Sequence, residues 1–150
     1  MERTDMTTRT AEFAGLIYKE MKTGADSVLN LLSKAEDERL KSHMTAVLDG
    51  YEKFASESKK ILDSEGVTPK EDNIMSKMGA KMGRGMRTLT DSSASRLAEV
   101  LMEDATTGIC ETIRTLHLYE NKDCRPEMIQ LAREIITFEE NNYNEAKSFI

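Results

Sequence analysis

Five acidic side chains lie at or near the inward faces of predicted helices. Carboxylates in such positions are oxygen ligands of the kind that bind iron or manganese. Glu139 interrupts an apolar helical face between Ile136 and Tyr143. A buried carboxylate needs a polar or cationic partner, because its desolvation costs on the order of several kcal/mol. That partner is either a metal ion or a side chain of a neighbouring helix. The five candidate metal ligands are Glu20, Glu103, Asp104, Glu111 and Glu139.

The two histidines do not complete a metal site with these carboxylates. His43 and His117 are preceded three residues earlier by Leu40 and Arg114, so the sequence contains no Glu-x-x-His pair. We therefore expect both histidines at or near the surface. We therefore predict that the protein binds no metal or other cofactor. The alternative is a protein that binds iron or manganese through these carboxylates.

The two cysteines also lack metal-ligand spacing. Cys110 and Cys124 are separated by 14 positions and have no histidine nearby at the spacing of a zinc site. The apolar helical face around Cys110 predicts a buried thiol. Cys124 precedes a predicted helix N-terminus, which can lower the pKa of a thiol.

A methionine-rich segment lies between two longer helical regions. Thr68 to Glu71 forms a capping box with proline at the first helical position, which predicts a helix over residues 69–89. The methionines are spaced along one face of this helix, with basic residues on the remaining surface. The candidate partner-binding residues are Met75, Met78, Met82, Met86, Lys77, Lys81, Arg84 and Arg87.

This segment has several possible roles. A crossover that packs its methionines on the helices is favoured, because methionine fills irregular gaps. The alternatives are a mobile arm that binds a protein partner, a helix on an anionic membrane surface, and a Cu(I) site. The membrane surface is disfavoured because aromatic anchors are missing, and Cu(I) because no Cys or His joins the thioethers.

Composition excludes several classes of protein. The chain has 150 residues, of which 39% are hydrophobic and 32% charged, and only two prolines, which favours one all-α domain over a fold with many turns. The net charge of −6 disfavours nucleic-acid binding. No apolar run approaches the length of a membrane span, and no signal-peptide pattern is visible, so we expect a cytoplasmic protein.

Apolar periodicity predicts four main helices within a domain spanning residues 1–150, of which 1–6 are frayed. The first begins near Thr7–Thr10 and ends near Leu31, and a turn follows at Ser33–Ala35. The second has its inner face over Leu40–Ile61 and ends at Gly66. The third begins after the break at Thr90–Ser93 and ends near Asn121, and the fourth begins at Pro126.

Two helices, a long crossover and two more helices together resemble the ferritin-like superfamily. The segments AEDERLKSHMTAVLDGYEKF, SRLAEVLMEDATTGI and ITFEENNYNEAKSFI are similar to those of uncharacterised ferritin-like proteins of bacteria, mostly of clostridial type. The resemblance covers nearly the whole chain after about residue 10. It implies a four-helix bundle whose residues 69–89 run back along the bundle between the second and third main helices.

The family's di-iron pattern is incomplete in this sequence. That pattern uses a Glu from each of two helices and a Glu-x-x-His from each of the other two. Here Glu139 is followed three residues later by Asn142, and the inner face of the second helix carries no acid. The resemblance therefore implies a degenerate metal site.

These observations favour a non-enzymatic structural or protein-interaction bundle. No nucleophile–base pair and no glycine-rich phosphate loop is recognisable, and we expect self-association or an unidentified protein partner. The alternative is a divergent di-iron or manganese carboxylate protein that uses Glu20, Glu103 or Asp104, Glu111 and Glu139.

Overall fold

The computed structural model describes residues 2–68 and 89–150, and within these ranges the chain forms helices and no strand. A short 3-10 turn, Lys147–Phe149, ends the last helix. The all-helical prediction is confirmed for this part of the chain, in an arrangement consistent with a four-helix bundle. The helices are α1 (Glu2–Leu32), α2 (Glu38–Ser64), α3 (Ala94–Tyr119) and α4 (Pro126–Ala146).

The predicted methionine-rich helix lies outside the described residues, apart from its last position. Leu89 is not helical and packs against the hydrophobic core. The break predicted at Thr90–Ser93 is confirmed, because α3 begins at Ala94 and the Ser93 hydroxyl accepts a hydrogen bond from Arg96 N.

The turn predicted between the first two helices is also present, and it is followed by the residue that caps α2. Asp37 caps α2 by accepting a hydrogen bond from Leu40 N at 2.9 Å. The Ser33 hydroxyl instead donates to the carbonyl oxygen of Asn30.

The start predicted for the first helix was wrong, because α1 begins at Glu2 and includes most of the stretch expected to be frayed. No Pro or Gly interrupts that stretch, and acidic residues are favourable in a first helical turn.

Two local signals mark helix ends as predicted. Gly66 adopts a left-handed conformation with φ of 74°, and Val67 N donates to the carbonyl oxygen of Leu62 at 3.0 Å. This is the Schellman arrangement that ends many helices. Pro126 occupies the first turn of α4, where the missing N–H leaves no internal hydrogen bond unmade.

Side-chain contacts define the relative directions of α1, α2 and α3. The Tyr119 hydroxyl donates to Glu12 at 3.2 Å, and the Ser27 hydroxyl donates to Asp104 at 2.7 Å, so α3 is antiparallel to α1. The short turn after Leu32 makes α2 antiparallel to α1 as well. Helices α2 and α3 consequently run in the same direction, and the end of α2 lies at the opposite end of the bundle from the start of α3.

Helix α4 runs antiparallel to α2. At one end, Arg125 donates to Ser64 at 2.7 Å and forms an ion pair with Glu65 at 2.9 Å. At the other end, His43 Nδ1 lies 3.1 Å from Glu145 Oε2.

The core combines the apolar stripes of all four helices. The predicted inner face of α2 is confirmed from Leu40 to Ser58, while Ile61 is half-buried and Leu62 buried. Burial of one Leu, Met or Phe side chain contributes roughly 1.5–3 kcal/mol. The largest fully buried apolar side chains are Phe13, Ile17, Met21, Leu40, Met44, Leu62, Leu97, Val100, Met128 and Ile135.

The predicted burial of Cys110 was wrong, because its side chain is exposed. Gly108 and Thr112 belong to the inner stripe of α3, and Cys110 lies two positions from each. Two positions correspond to about 200° of helical rotation, which places Cys110 on the opposite side of the helix.

Within the described residues, no helix is both long and apolar enough to cross a membrane.

Candidate functional site

A cavity of about 180 Å³ is lined by residues of all four helices. Four of the five predicted carboxylates line it: Glu20, Asp104, Glu111 and Glu139. The fifth, Glu103, does not. Its side chain is exposed and lies 3.7 Å from Arg96.

Glu139 is the most buried of these carboxylates, with 1% of its surface exposed. Neither of its oxygens has a hydrogen-bond partner among the described residues. Gly108 of α3 makes room for the carboxyl group, because a Cβ atom on residue 108 would lie 2.7 Å from Glu139 Oε2. The predicted burial of Glu139 is therefore confirmed, and the Tyr51 hydroxyl of α2 is the side-chain group that interacts with its carboxyl.

The environment of Glu139 favours its neutral form. Burial raises the pKa of the carboxyl to about 8, and the charges of Glu20 and Asp104 raise it as well. The Tyr51 hydroxyl acts in the opposite sense and lowers the pKa, although its geometry falls outside that of an ordinary hydrogen bond. At neutral pH the carboxyl is mostly protonated, so it can donate one hydrogen bond and accept others.

The ring of Tyr51 lies in a space that exists because residue 24 of α1 is a glycine. Its side chain is 5% exposed and lies against Gly24 of α1, where a Cβ atom would meet the ring at 2.5 Å. The ring also contacts Phe138 in a T-shaped arrangement with a centroid distance of 5.1 Å. Burial and the neighbouring Glu139 raise the pKa of Tyr51, so the phenol stays neutral.

His43 was expected at the surface, but it is buried and lines the cavity. Its Nδ1 faces Glu145 Oε2, and its ring stacks on Phe149 with a centroid distance of 5.8 Å. The other ring nitrogen, Nε2, is buried and has no hydrogen-bond partner among the described residues. Asn142 contributes a third unsatisfied group, because its Nδ2 is likewise buried without a partner there.

The remaining carboxylates have polar neighbours. Asp104 accepts the Ser27 hydroxyl, and Glu20 accepts the Thr112 hydroxyl at 3.4 Å. Glu111 is half-buried and accepts a hydrogen bond from Arg114 at 2.8 Å.

Negative groups predominate in the cavity wall. Its acidic residues are the four predicted carboxylates and Asp26, whereas the basic side chain is Lys19. Buried apolar side chains also contribute to the wall. They are Met21, Val28, Val47, Leu101 and Ala105.

The residues present do not fit a ferritin-type di-metal centre. Among the described residues, no group of three or more His, Cys, Asp or Glu side chains could hold a metal ion. Helix α2 contributes His43 and Tyr51 to the cavity instead of a Glu-x-x-His pair. The carboxylates share a cavity, but they do not converge on one point.

Sequence reasoning missed His43, although a signal was present. His43 lies three residues after Leu40 and four before Val47, a spacing that places all three on the same side of α2. The expectation of a surface position came from the absence of a Glu-x-x-His pair and did not use the helical phase.

Cys124 lies outside the cavity, and the lowering of the pKa that a following helix can cause is outweighed there. Burial raises the pKa of the Cys124 thiol despite its position before α4, and hydrogen bonding to Thr10 only partly opposes this effect. Thr10 Oγ1 lies 3.5 Å from the sulfur and accepts a hydrogen bond from Arg125 N at 3.0 Å.

Comparisons with known proteins assign no family to the chain. A scan against protein-family models finds no match, and neither do searches of curated proteins and of solved structures.

Proposed function

We propose that this protein is a non-enzymatic ferritin-like bundle that acts by binding, and that the cavity between its four helices is a ligand-binding site. The single observation that carries this proposal is a set of buried polar atoms without hydrogen-bond partners, on three residues that line one cavity. They belong to His43, Glu139 and Asn142. A buried polar atom without a partner costs about 1–3 kcal/mol, and a bound ligand removes that cost.

The parallel orientation of α2 and α3 supports the ferritin-like connectivity. A chain that joins them must connect opposite ends of the bundle, as the single long crossover of ferritin-like folds does. Residues 69–88 join them in this chain. Their methionine and basic residues remain our predicted surface for a protein partner or for self-association.

Binding without catalysis is supported by the pairing of the polar groups in the cavity. The Ser27 hydroxyl donates to Asp104, and the imidazole of His43 faces Glu145, so these groups do not form a nucleophile–base pair with each other. Cys110 and Cys124 are both free thiols. Free thiols are usual in a reducing compartment, which supports a cytoplasmic location.

Metal binding is the second candidate function, because four of the five predicted carboxylates line one cavity, although they do not converge on one point. It can be tested by anaerobic loading with Fe(II) or Mn(II), desalting and elemental analysis. About two ions per chain, lost in Glu139→Ala, would establish a carboxylate metal protein in place of our first proposal.

The binding proposal is tested by native mass spectrometry of the protein purified in volatile buffer, followed by analysis of the small molecules released on denaturation. We expect a stoichiometric small ligand. Ala105→Leu should displace it, because Ala105 is buried and lines the cavity. Thr106→Leu is the matched control, because Thr106 is exposed on the same helix and does not line the cavity. Equal ligand content in the two variants would contradict binding in the cavity.

A further inference from the structure

We propose that the ligand of this cavity is a small organic ammonium ion, a primary amine on a short apolar body. This inference rests on the proposed function, because it specifies what the binding site takes. Three properties of the cavity favour such a ligand: its unsatisfied acceptors, its charge and its size.

The unsatisfied atoms deep in the cavity are mostly hydrogen-bond acceptors. With a proton on Nδ1 facing Glu145, the neutral imidazole of His43 presents Nε2 as an acceptor. Glu139 presents two acceptor oxygens when ionised. Asn142 is the exception, because its unsatisfied Nδ2 is a donor. An ammonium group carries three donors and no acceptor, which matches His43 Nε2 and the oxygens of Glu139.

The charge of the cavity wall favours a cation over a neutral or anionic ligand. Four acidic side chains line the cavity besides the mostly neutral Glu139, against one lysine, so an anion would meet repulsion from several sides. Attraction between opposite charges is stronger in a partly buried site than in bulk water. The apolar side chains Met21, Val28 and Leu101 provide a surface for the carbon body of the ligand.

Size limits the ligand to a few non-hydrogen atoms. An engineered apolar cavity of about 150 Å³ holds one benzene molecule, so a cavity of about 180 Å³ accepts a slightly larger ligand. A hydrated metal ion would use the carboxylates but leave the apolar wall without a partner. An amine with a chain of about five carbons satisfies both parts of the wall.

Ionisation of Glu139 provides a signature specific to this proposal. Its carboxyl faces Tyr51 of α2, Glu20 of α1 and Asp104 of α3, and it is mostly protonated at neutral pH. An arriving ammonium group stabilises the carboxylate, so binding should release a proton. Affinity should then rise with pH up to about 8, where the carboxyl ionises without the ligand.

The test is isothermal titration calorimetry of the full chain with three ligands of matched shape: n-pentylamine, n-pentanol and pentanoate. We expect pentylamine to bind at least tenfold more tightly than pentanol, and pentanoate not to bind. Titrations in two buffers with different heats of ionisation should show release of about one proton at pH 7.

Two neighbouring substitutions provide the controls. Glu139→Gln should weaken pentylamine binding at least tenfold and abolish the proton release. Glu140→Gln should change neither, because Glu140 is exposed and does not line the cavity.

The possible results distinguish failure of the ammonium proposal from failure of the cavity as a binding site. Equal affinity for pentanol and pentylamine would overturn the ammonium proposal but leave the cavity as a binding site. Retention of Mn(II) without amine binding would also overturn it, in favour of a metal site. If none of the three probes binds and no small ligand or metal is retained on purification, the binding site fails together with the ligand class.

Discussion

The Cα atom of Gly108 faces the carboxyl group of Glu139 so closely that residue 108 has no room for a side chain. A Cβ atom there would lie 2.7 Å from Oε2 and 2.8 Å from the carboxyl carbon. A glycine inside a helix costs about 1 kcal/mol relative to alanine. Helix α3 therefore carries a destabilising residue at the point where α4 inserts a buried carboxylate.

Gly108→Ala should lower the free energy of unfolding by about 1–2 kcal/mol, because overpacking exceeds the gain in helix propensity. The measurement is urea denaturation followed by circular dichroism. Gly15→Ala is the matched control, because a Cβ atom at residue 15 meets nothing within 4 Å. That substitution should raise stability by up to about 1 kcal/mol. In a Glu139→Ala background the cost of Gly108→Ala should disappear, and an unchanged cost would contradict the proposed contact.

Stability should fall as pH rises through the neutral range because of Glu139. Its pKa is raised from 4.5 to about 8 in the folded state. Between these values the folded protein binds a proton that the unfolded chain has released. The stabilisation is complete below about pH 4.5 and is lost as pH rises to about 8.

Urea denaturation at several pH values measures this dependence. The wild type should lose about 1 kcal/mol per pH unit between these limits relative to Glu139→Gln, which has no carboxyl to titrate. Glu140→Gln should keep the wild-type dependence, because its side chain is exposed. Parallel stability curves for the wild type and Glu139→Gln would show that Glu139 ionises normally.

Tyr51→Phe should raise the pKa of Glu139 further, because the Tyr51 hydroxyl is the group that lowers it. The substitution retains the ring that fills the space beside Gly24. Carbon-13 NMR of the glutamate carboxyl groups measures the titration directly, and Glu139→Gln assigns the resonance. A fall in the pKa after the substitution would mean that the hydroxyl does not favour the ionised form.

Arg125 should contribute measurably to stability by joining the end of α2 to the start of α4. It interacts with Ser64, Glu65 and Glu127, and the side chain of Glu65 is only 9% exposed. We expect Arg125→Gln to cost about 1–2 kcal/mol in urea denaturation.

The control for this prediction is a pair on the surface of α2. Lys41 lies 3.4 Å from Glu38, whose side chain is 88% exposed. Lys41→Gln should change stability by no more than about 0.5 kcal/mol, because water screens exposed pairs. If Arg125→Gln and Lys41→Gln changed the free energy of unfolding equally, the interactions of Arg125 would contribute no more to stability than an exposed ion pair.

Cys110 should react with an aromatic disulfide reagent faster than Cys124. Cys110 is exposed, whereas Cys124 is partly buried and its pKa is raised by that burial. Cys110→Ser should remove the fast phase of the absorbance change, and Cys124→Ser the slow phase. A fast phase that survives in Cys110→Ser would show that Cys124 is more accessible than its burial indicates.

Local signals were sufficient to place several helix ends. Gly66 and Pro126 act through their own backbone conformations, which do not depend on distant residues. The turn at Ser33–Ala35 was also predicted, but its capping residue was not. Ser33 and Asp37 can both cap a helix, and the choice depends on where α2 starts to pack against α1.

By itself, the sequence determined the four helical segments of the described ranges and the apolar stripe of each, because both follow from residue spacing along one chain. It also identified Glu139 as a buried carboxylate, since a charged residue within an apolar stripe has no other place to lie. It did not determine that four of the five predicted carboxylates line one cavity or that Gly108 provides space for Glu139. Contacts between helices decided these features, and the docking of Glu145 and Phe149 decided the burial of His43. Such contacts depend on the rotation and register of each helix against its neighbours, and these are properties of the packed bundle as a whole.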